Sequence, residues 1–361
     1  MELAALLGDQ LERLFAEHVD RNCLHAAESG IWPAALWAAV EDFGLRTALV
    51  AEAAGGSGLS WSDAGVILQR TGRFAAPIPL GETMIAAALL SRAGIAVPEG
   101  VLTFADGRAL DVDEGLLEGR LPAVAWAHAA SHLVVAAGPP AETRLCLIDL
   151  DHVETQPLRT TGRDARDDVV LRGTRPVATA PLDAAATIGI LELGALMRAS
   201  QIAGALRRVM ELAVDYANTR QQFGRPIGRF QAIQQSLAQL AAEVAAAEVA
   251  SAAGWRARDR TEAGLGTTGL GTAGLGEAGY DAAVARIRCS EAARLGAAIA
   301  HQVHGAIGVT DEHMLHHFTR RLWLWRLEFG AEAWWAEELG ARVLAAGGDR
   351  LWPLLTRDDP A

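Results

Sequence analysis

Two long runs of helical periodicity in the second half of the chain limit what it can fold into. Apolar residues recur at steps of three and four from Ile188 to Arg220, about nine turns of one continuous helical face. After a break at Gln222-Phe-Gly-Arg-Pro-Ile-Gly-Arg229, Ile233, Leu237, Leu240 and Val244 step by four, three and four. Two such helices with a short connection are the signature of an antiparallel bundle, because neither can bury its apolar stripe alone. Further helical periodicity is expected from about Asp281 to His304 and from about His313 to Ala346.

The rest of the chain divides by period. In residues 1–99, Leu3, Leu6, Leu7, Leu11 and Leu14 mark one helix face. A second helix is expected from about Pro33, with Leu36, Trp37, Val40 and Phe43 on its apolar side. The glycine-rich stretch Glu52–Leu59 is a break, after which Ser60 or Ser62 can cap a helix running to about Arg73. Residues 100–182 change to short apolar runs (Val101–Phe104, Ala123–Trp126, Leu133–Val135, Leu145–Leu150, Val169–Leu171) separated by Gly, Pro and Asp, which predict a small β-domain. Residues 183–361 form the bundle. The repeat GLGTTGLGTAGLGEAG, within a loop spanning about 262–280, is too glycine-rich for helix and has no preceding strand to make it a nucleotide fingerprint. The expected fold is mostly α: a helical domain, a small middle β-domain and a helical bundle.

Composition excludes several functions. All 32 basic residues are Arg. Without Lys there is no Schiff-base chemistry and no Walker-type phosphate loop, and anions must be gripped by Arg, backbone N–H groups or neutral donors. A net charge of −12, with no basic stripe, argues against nucleic acid. No apolar stretch is long enough for a membrane span, and the acidic N-terminus does not read as a signal peptide. Cys23, Cys146 and Cys289 are scattered without metal spacing, which suits buried thiols in a reducing cytoplasm. Five histidines (His301, His304, His313, His316, His317) fall within 17 residues. A metal would need a third ligand beside His313 and His317, such as Asp311 or Glu312; a structural role is expected instead, and no metal.

The segment Tyr216-Ala-Asn-Thr-Arg220-Gln-Gln-Phe223-Gly224-Arg-Pro-Ile227-Gly-Arg-Phe230-Gln231-Ala-Ile-Gln234 is dense with ordered signals. It resembles the YAxxRxQFGxxIxxFQxxQ run of the acyl-CoA dehydrogenases. Gln302-Val-His304-Gly305-Ala306-Ile-Gly308 is similar to that family's QxxGGxG turn, with Ala306 for the second Gly. Glu312-His313 and His316 resemble a GxGxTxEHxxH run of its steroid-type members. Weaker likeness extends over the whole chain, with the glycine repeat as an insertion. The resemblance implies FAD as cofactor and acyl-CoA as substrate. It also implies that Arg220, Phe223, Ile227, Phe230, Gln231, Gln302, Gly305 and Ala306 face the FAD of a neighbouring subunit in a dimer or tetramer, and that electrons pass to an electron-transferring flavoprotein.

The family's α-proton abstraction needs a carboxylate base, and here the likeness fails. One family position for the Glu falls at Phe329 and the other at Gly194; Glu328 and Glu192 are the nearest carboxylates. The family's LTExxxGSD stretch is reduced to Val101-Leu-Thr103-Phe-Ala-Asp106-Gly-Arg. A chain that keeps the residues serving a neighbour's flavin but lacks those serving its own is expected to be a companion subunit, paired with a paralogous catalytic chain as a heterotetramer acting on bulky, steroid-like acyl-CoA thioesters. The alternatives are a flavin-dependent acyl-CoA oxidase or monooxygenase on the same fold, or a purely stabilising subunit.

Overall fold

The computed structural model describes residues 2–139, 142–182, 184–263 and 277–352. The glycine repeat lies almost wholly outside them. The chain opens with five helices: α1 (Glu2–His18), α2 (Arg21–Glu28), α3 (Ala34–Asp42), α4 (Trp61–Phe74) and α5 (Leu80–Arg92). Ser60 makes a full capping box with Asp63 at the start of α4, and Asp259 accepts the Trp61 and Ser62 backbone N–H groups there as well. The short α2 escapes a reading based on apolar periodicity, because only Leu24 of its eight residues is buried.

Eight strands follow: β1 (Leu102–Asp106), β2 (Asp111–Asp113), β3 (Leu116–Ala125), β4 (His132–Ala137), β5 (Arg144–Asp149), β6 (Glu154–Leu158), β7 (Arg166–Thr174) and β8 (Ala178–Pro181). They form two four-stranded sheets, β1-β4-β5-β8 and β2-β3-β7-β6. β2 and β6 lie on sheet edges with mostly exposed residues, so they carry no apolar signature. β3 extends well beyond its apolar tip, and its register against β7 is irregular between Leu121 and Val124.

α6 (Ala184–Thr219) is the axis of the molecule, packed against α4 and against two further long helices, α7 (Gln231–Glu262) and α8 (Glu277–His304). A hairpin of β9 (Gln221–Gln222) and β10 (Arg225–Pro226) joins α6 to α7. The helix expected from His313 to Ala346 is two helices, α9 (Leu315–Trp325) and α10 (Glu332–Ala346). The chain breaks between them because Phe329 and Gly330 both take left-handed backbone, at φ +52 and +87. No helix of the described residues is long and apolar enough to cross a membrane. Cys146 and Cys289 are buried, whereas Cys23 is only half-buried.

α4 and α6 approach through glycine. A methyl group on Gly204 would collide with the Gln69 carbonyl, and one on Gly72 with the Gln201 carbonyl. Gly204→Ala should therefore destabilise the fold by about 1–3 kcal/mol, since the obstruction is backbone rather than a mobile side chain. Denaturant unfolding monitored by circular dichroism checks this; an unchanged midpoint would show that the helices can part without cost.

Candidate functional site

Phe329 and Gly194 come together. The Phe329 ring lies directly on Gly194, so closely that no side chain fits at position 194. It stacks on Phe104 of β1 with ring centroids 5.1 Å apart. The carbonyl of Phe329 accepts the Trp335 indole N–H at 3.0 Å, which ties the turn to α10. The ring thus occupies the ground on which both base positions converge. Thr103, the one residue retained from the missing threonine- and serine-bearing stretch, is fully buried and donates its hydroxyl to the Ala125 carbonyl at 2.7 Å.

Glu328 is engaged elsewhere. One carboxylate oxygen accepts Arg166 Nε of β7 at 2.6 Å, and the other accepts Arg198 Nε of α6. Arg198 also donates to Glu82 of α5 at 2.7 Å and to Gln201. Burial would raise the Glu328 carboxyl, but the two guanidinium groups outweigh it and hold it down at about 2. Beneath the turn, fully buried Arg286 of α8 donates to the carbonyls of Trp325, Glu328 and Gly330, closing the end of α9. Burial lowers Arg286 to about 10, partly offset by the Glu328 charge. Glu328 therefore sits as a structural anion, its oxygens committed to Arg166 and Arg198. Residues 326–331, which the helix expected from His313 to Ala346 would include, are not helical.

Glu192 lies two residues from Gly194, a step of about 200° around α6 that takes it off the face meeting Phe329. It is buried on α6, where burial raises it to about 7, with Arg258 and Arg342 offsetting only part of that effect. Its acidity suits proton transfer, but its side of the helix does not.

The β-domain is bolted to α9. Asp164 accepts Arg321 Nε at 2.7 Å and the Trp325 indole N–H at 3.1 Å, and Gly162 packs against Leu324 with no room for a methyl group. Glu28 of α2 accepts His317, Arg320 and Arg321 of the same helix. Burial opposes the Glu28 charge, but the His317 hydrogen bond and the arginine charges bring its carboxyl down to about 2. The neighbouring His316 ring is packed 4.0 Å from His317, and burial pushes it down to about 4. The five histidines thus divide among three places, His316 and His317 against His25 of α2, His304 and His313 against Tyr216, and His301 against Thr319 of α9. No group of three His, Cys, Asp or Glu side chains among the described residues could hold a metal.

The second constellation lies at the opposite end of α6. The β9–β10 hairpin turns at Phe223 and Gly224, with φ +51 and +78. Positive φ at both central positions marks a type I′ turn, which Asn-Gly adopts readily and a bulky residue adopts only under strain. The strained side chain is 91% exposed. Phe230 backs it at 6.1 Å, edge to face, and Arg225 lies over the Phe230 ring at 4.3 Å. Arg220 is exposed at the helix end, and its carbonyl accepts the Ile227 N–H at 2.8 Å, which closes the loop. Gln231 is also exposed, and Ile227 is half-buried. Gln302 is exposed in the last turn of α8, and Gly305 and Ala306 are exposed on the 3-10 turn that follows it, with Gly305 at φ +63. An arginine, a strained aromatic and an exposed glycine turn on one surface form an open half-site: they can meet a planar or phosphorylated ligand only if another surface completes the enclosure.

Sequence reasoning did not find Arg166, Arg198, Arg286 or Glu82. A faint signal existed, in that Arg198 and Glu82 each interrupt an otherwise apolar run, but their partners are 116 residues apart.

Residues 2–96 match the acyl-CoA dehydrogenase N-terminal domain, and residues 184–344 match the acyl-CoA dehydrogenase C-terminal domain. The chain is 30% identical over 325 residues to the acyl-CoA dehydrogenase IpdE2 of Mycobacterium tuberculosis, covering 88% of this chain and 89% of that one. Among solved structures, the Tcur3481-Tcur3483 steroid ACAD variant is similar at a TM-score of 0.84, with 25% identity over 96% of this chain and 98% of that one. The ChsE4-ChsE5 complex from Mycobacterium tuberculosis shares the fold at a TM-score of 0.80, with 22% identity over 100% and 99% of the two chains. The protein belongs to the acyl-CoA dehydrogenase family, and FAD is its cofactor.

Glu328→Gln should cost about 3–5 kcal/mol of stability, because it leaves buried arginines facing a neutral amide; equilibrium denaturation measures it. Acid should destabilise the fold in two stages. His316 has a lowered value in the fold, so its contribution is complete above the ordinary 6.5 and is lost as pH falls toward 4. Glu28 and Glu328 are also lowered, so theirs is complete above 4.5 and is lost toward pH 2. Unfolding free energy measured between pH 7 and pH 3 should fall throughout; a flat profile would contradict the assignment.

Proposed function

We propose that this chain is the companion subunit of a heteromeric acyl-CoA dehydrogenase, pairing with a paralogous catalytic chain whose FAD site it completes. The observation that carries the proposal is the contrast between the two constellations. The ground of the catalytic base holds Phe329 against Gly194, with its nearest carboxylate locked between Arg166 and Arg198. The hairpin and the glycine turn, by contrast, are exposed and strained toward something outside the chain. Bound FAD supplies the hydride acceptor for α,β-desaturation of the thioester. This chain's residues bind and orient: Arg220 offers a fork for a pyrophosphate, Phe223 covers an aromatic face, and the Gly305-Ala306 turn lets backbone N–H groups approach phosphate oxygens.

The α-proton goes to a carboxylate of the partner, because none here stands free at the family positions. The likeness to a steroid ACAD and to a two-chain complex supports a bulky acyl group and a heteromer, most simply two copies of each chain. Electron transfer to an electron-transferring flavoprotein follows from dehydrogenase rather than oxidase chemistry.

The chain expressed alone should purify without flavin, and the co-expressed pair should hold fewer FAD than chains. Arg220→Ala should weaken FAD binding by the pair about 10–100-fold without dissociating it, from the loss of a charged hydrogen bond. Stoichiometric FAD and acyl-CoA oxidation by the single chain would overturn the companion reading.

A further inference from the structure

The two FAD-facing segments are 82 residues apart between Arg220 and Gln302, yet one aromatic stack joins them. Tyr216 stands one helical turn before Arg220 on α6, so its ring is fixed to the same rigid element. His304 is the last residue of α8 and immediately precedes Gly305. Their rings stack with centroids 4.7 Å apart and planes at 21°. His313, from beyond the turn, meets both rings edge to face, His304 at 4.6 Å and Tyr216 at 6.3 Å, so the three rings form one triangular cluster. The Gly305–Val309 turn is thus bracketed by two histidines that clasp one another over a tyrosine of the arginine-bearing helix.

The environment of His304 specifies a flat ring rather than a polar group. It is 3% exposed, and Nδ1 donates to the Ala300 carbonyl at 2.8 Å, which sets the ring's rotation. Nε2 is buried without a well-formed hydrogen bond, and the Leu212 carbonyl of α6 lies close enough to act on the ring. Burial lowers the titration of both His304 and His313; for His304 it outweighs the Ala300 and Leu212 carbonyls, which favour the charged form. The stack therefore consists of neutral rings at neutral pH. Gly305, Ala306 and Ile307 are all exposed, so the turn has little packing of its own on its outer side to fix it relative to Arg220.

We propose that His304 is a positioning residue for the shared flavin site: its ring, stacked on Tyr216 and closed in by His313, sets the distance and angle between the Arg220 end of α6 and the Gly305 turn. The proposal rests on the companion-subunit reading, since that reading gives both segments one ligand. Two donors grip one pyrophosphate strongly only when their spacing is fixed before binding, because each freed torsion must otherwise be ordered on binding.

The test uses the co-expressed pair, stripped of flavin and titrated with FAD. The variants are Arg220→Ala, His304→Ala, His304→Phe and His313→Ala, with assembly followed by size-exclusion chromatography. His304→Ala should weaken FAD binding about tenfold while the pair stays assembled. His304→Phe, which keeps a flat ring and removes the nitrogens, should stay within about twofold of wild type. Equal losses in His304→Ala and His304→Phe would overturn the stacking role, as would wild-type affinity in His304→Ala when Arg220→Ala has lost its FAD. If His304→Ala does not assemble, His313→Ala removes the stack from its half-buried side, and wild-type affinity there overturns the proposal. Unchanged FAD binding in Arg220→Ala would instead mean that the companion reading has failed, taking this proposal with it.

Discussion

The carboxylate of Glu328, shared between Arg166 of the β-domain and Arg198 of the bundle, is the interaction on which the rest of the architecture depends. It joins three parts of the chain at one buried point, because Arg198 also reaches Glu82 of the N-terminal helices. Buried charges of this kind are weak evidence for stability, since removing them from water costs most of what their attraction returns. Their effect is on geometry. With Glu328 held from both sides, and Arg286 gathering the carbonyls of Trp325, Glu328 and Gly330, the turn after α9 has one available path. That path sends Phe329 into left-handed backbone and its ring onto Gly194.

Two of the strained backbone positions fall in the two constellations. Phe329 and Phe223 are both bulky residues with positive φ, in opposite settings. Phe329 is held by packing on Gly194, Phe104 and the Trp335 indole. Phe223 is held only by the hairpin behind it and by Phe230. A conformation costing on the order of 1–3 kcal/mol persists only where its surroundings enforce it or a partner rewards it. The interior explains the first; a second chain covering the hairpin would explain the other. The β-domain, meanwhile, is fastened to α9 through Asp164 and, by way of α9, to α2 through Glu28, so the interdomain junction of this chain is ionic and closed.

Much of the fold was legible in the residues. Helical period gave α1, α3, α6, α7 and α8, because each buries one continuous face, and the capping serine gave α4; the central strands showed as apolar runs because they too are buried. β2 and β6 were not legible, since edge strands bury little, and neither was α2. The merging of α9 and α10 into one helix was wrong because periodicity continues across the turn: nothing local announces that Phe329 will leave helical backbone. The site divided similarly. The Arg220 and Gln302 segments are contiguous motifs and could be found by reading, whereas the Arg166, Arg198, Arg286, Glu82 and Glu328 cluster is assembled from five separate elements.

The sequence by itself determined the order of helical, β and helical regions, the two motif segments around Arg220 and Gln302 and the lack of a carboxylate at positions 329 and 194. These are properties of residue type and spacing along one stretch of chain. Only the tertiary structure decided that positions 329 and 194 meet, that Glu328 is spent on two arginines, that Glu192 lies off the face meeting Phe329 and that Tyr216, His304 and His313 close into one cluster. Each of those facts depends on which elements pack together. That is set by the burial of whole helix faces and by close approaches such as Gly72 and Gly204, over separations that local pattern does not encode.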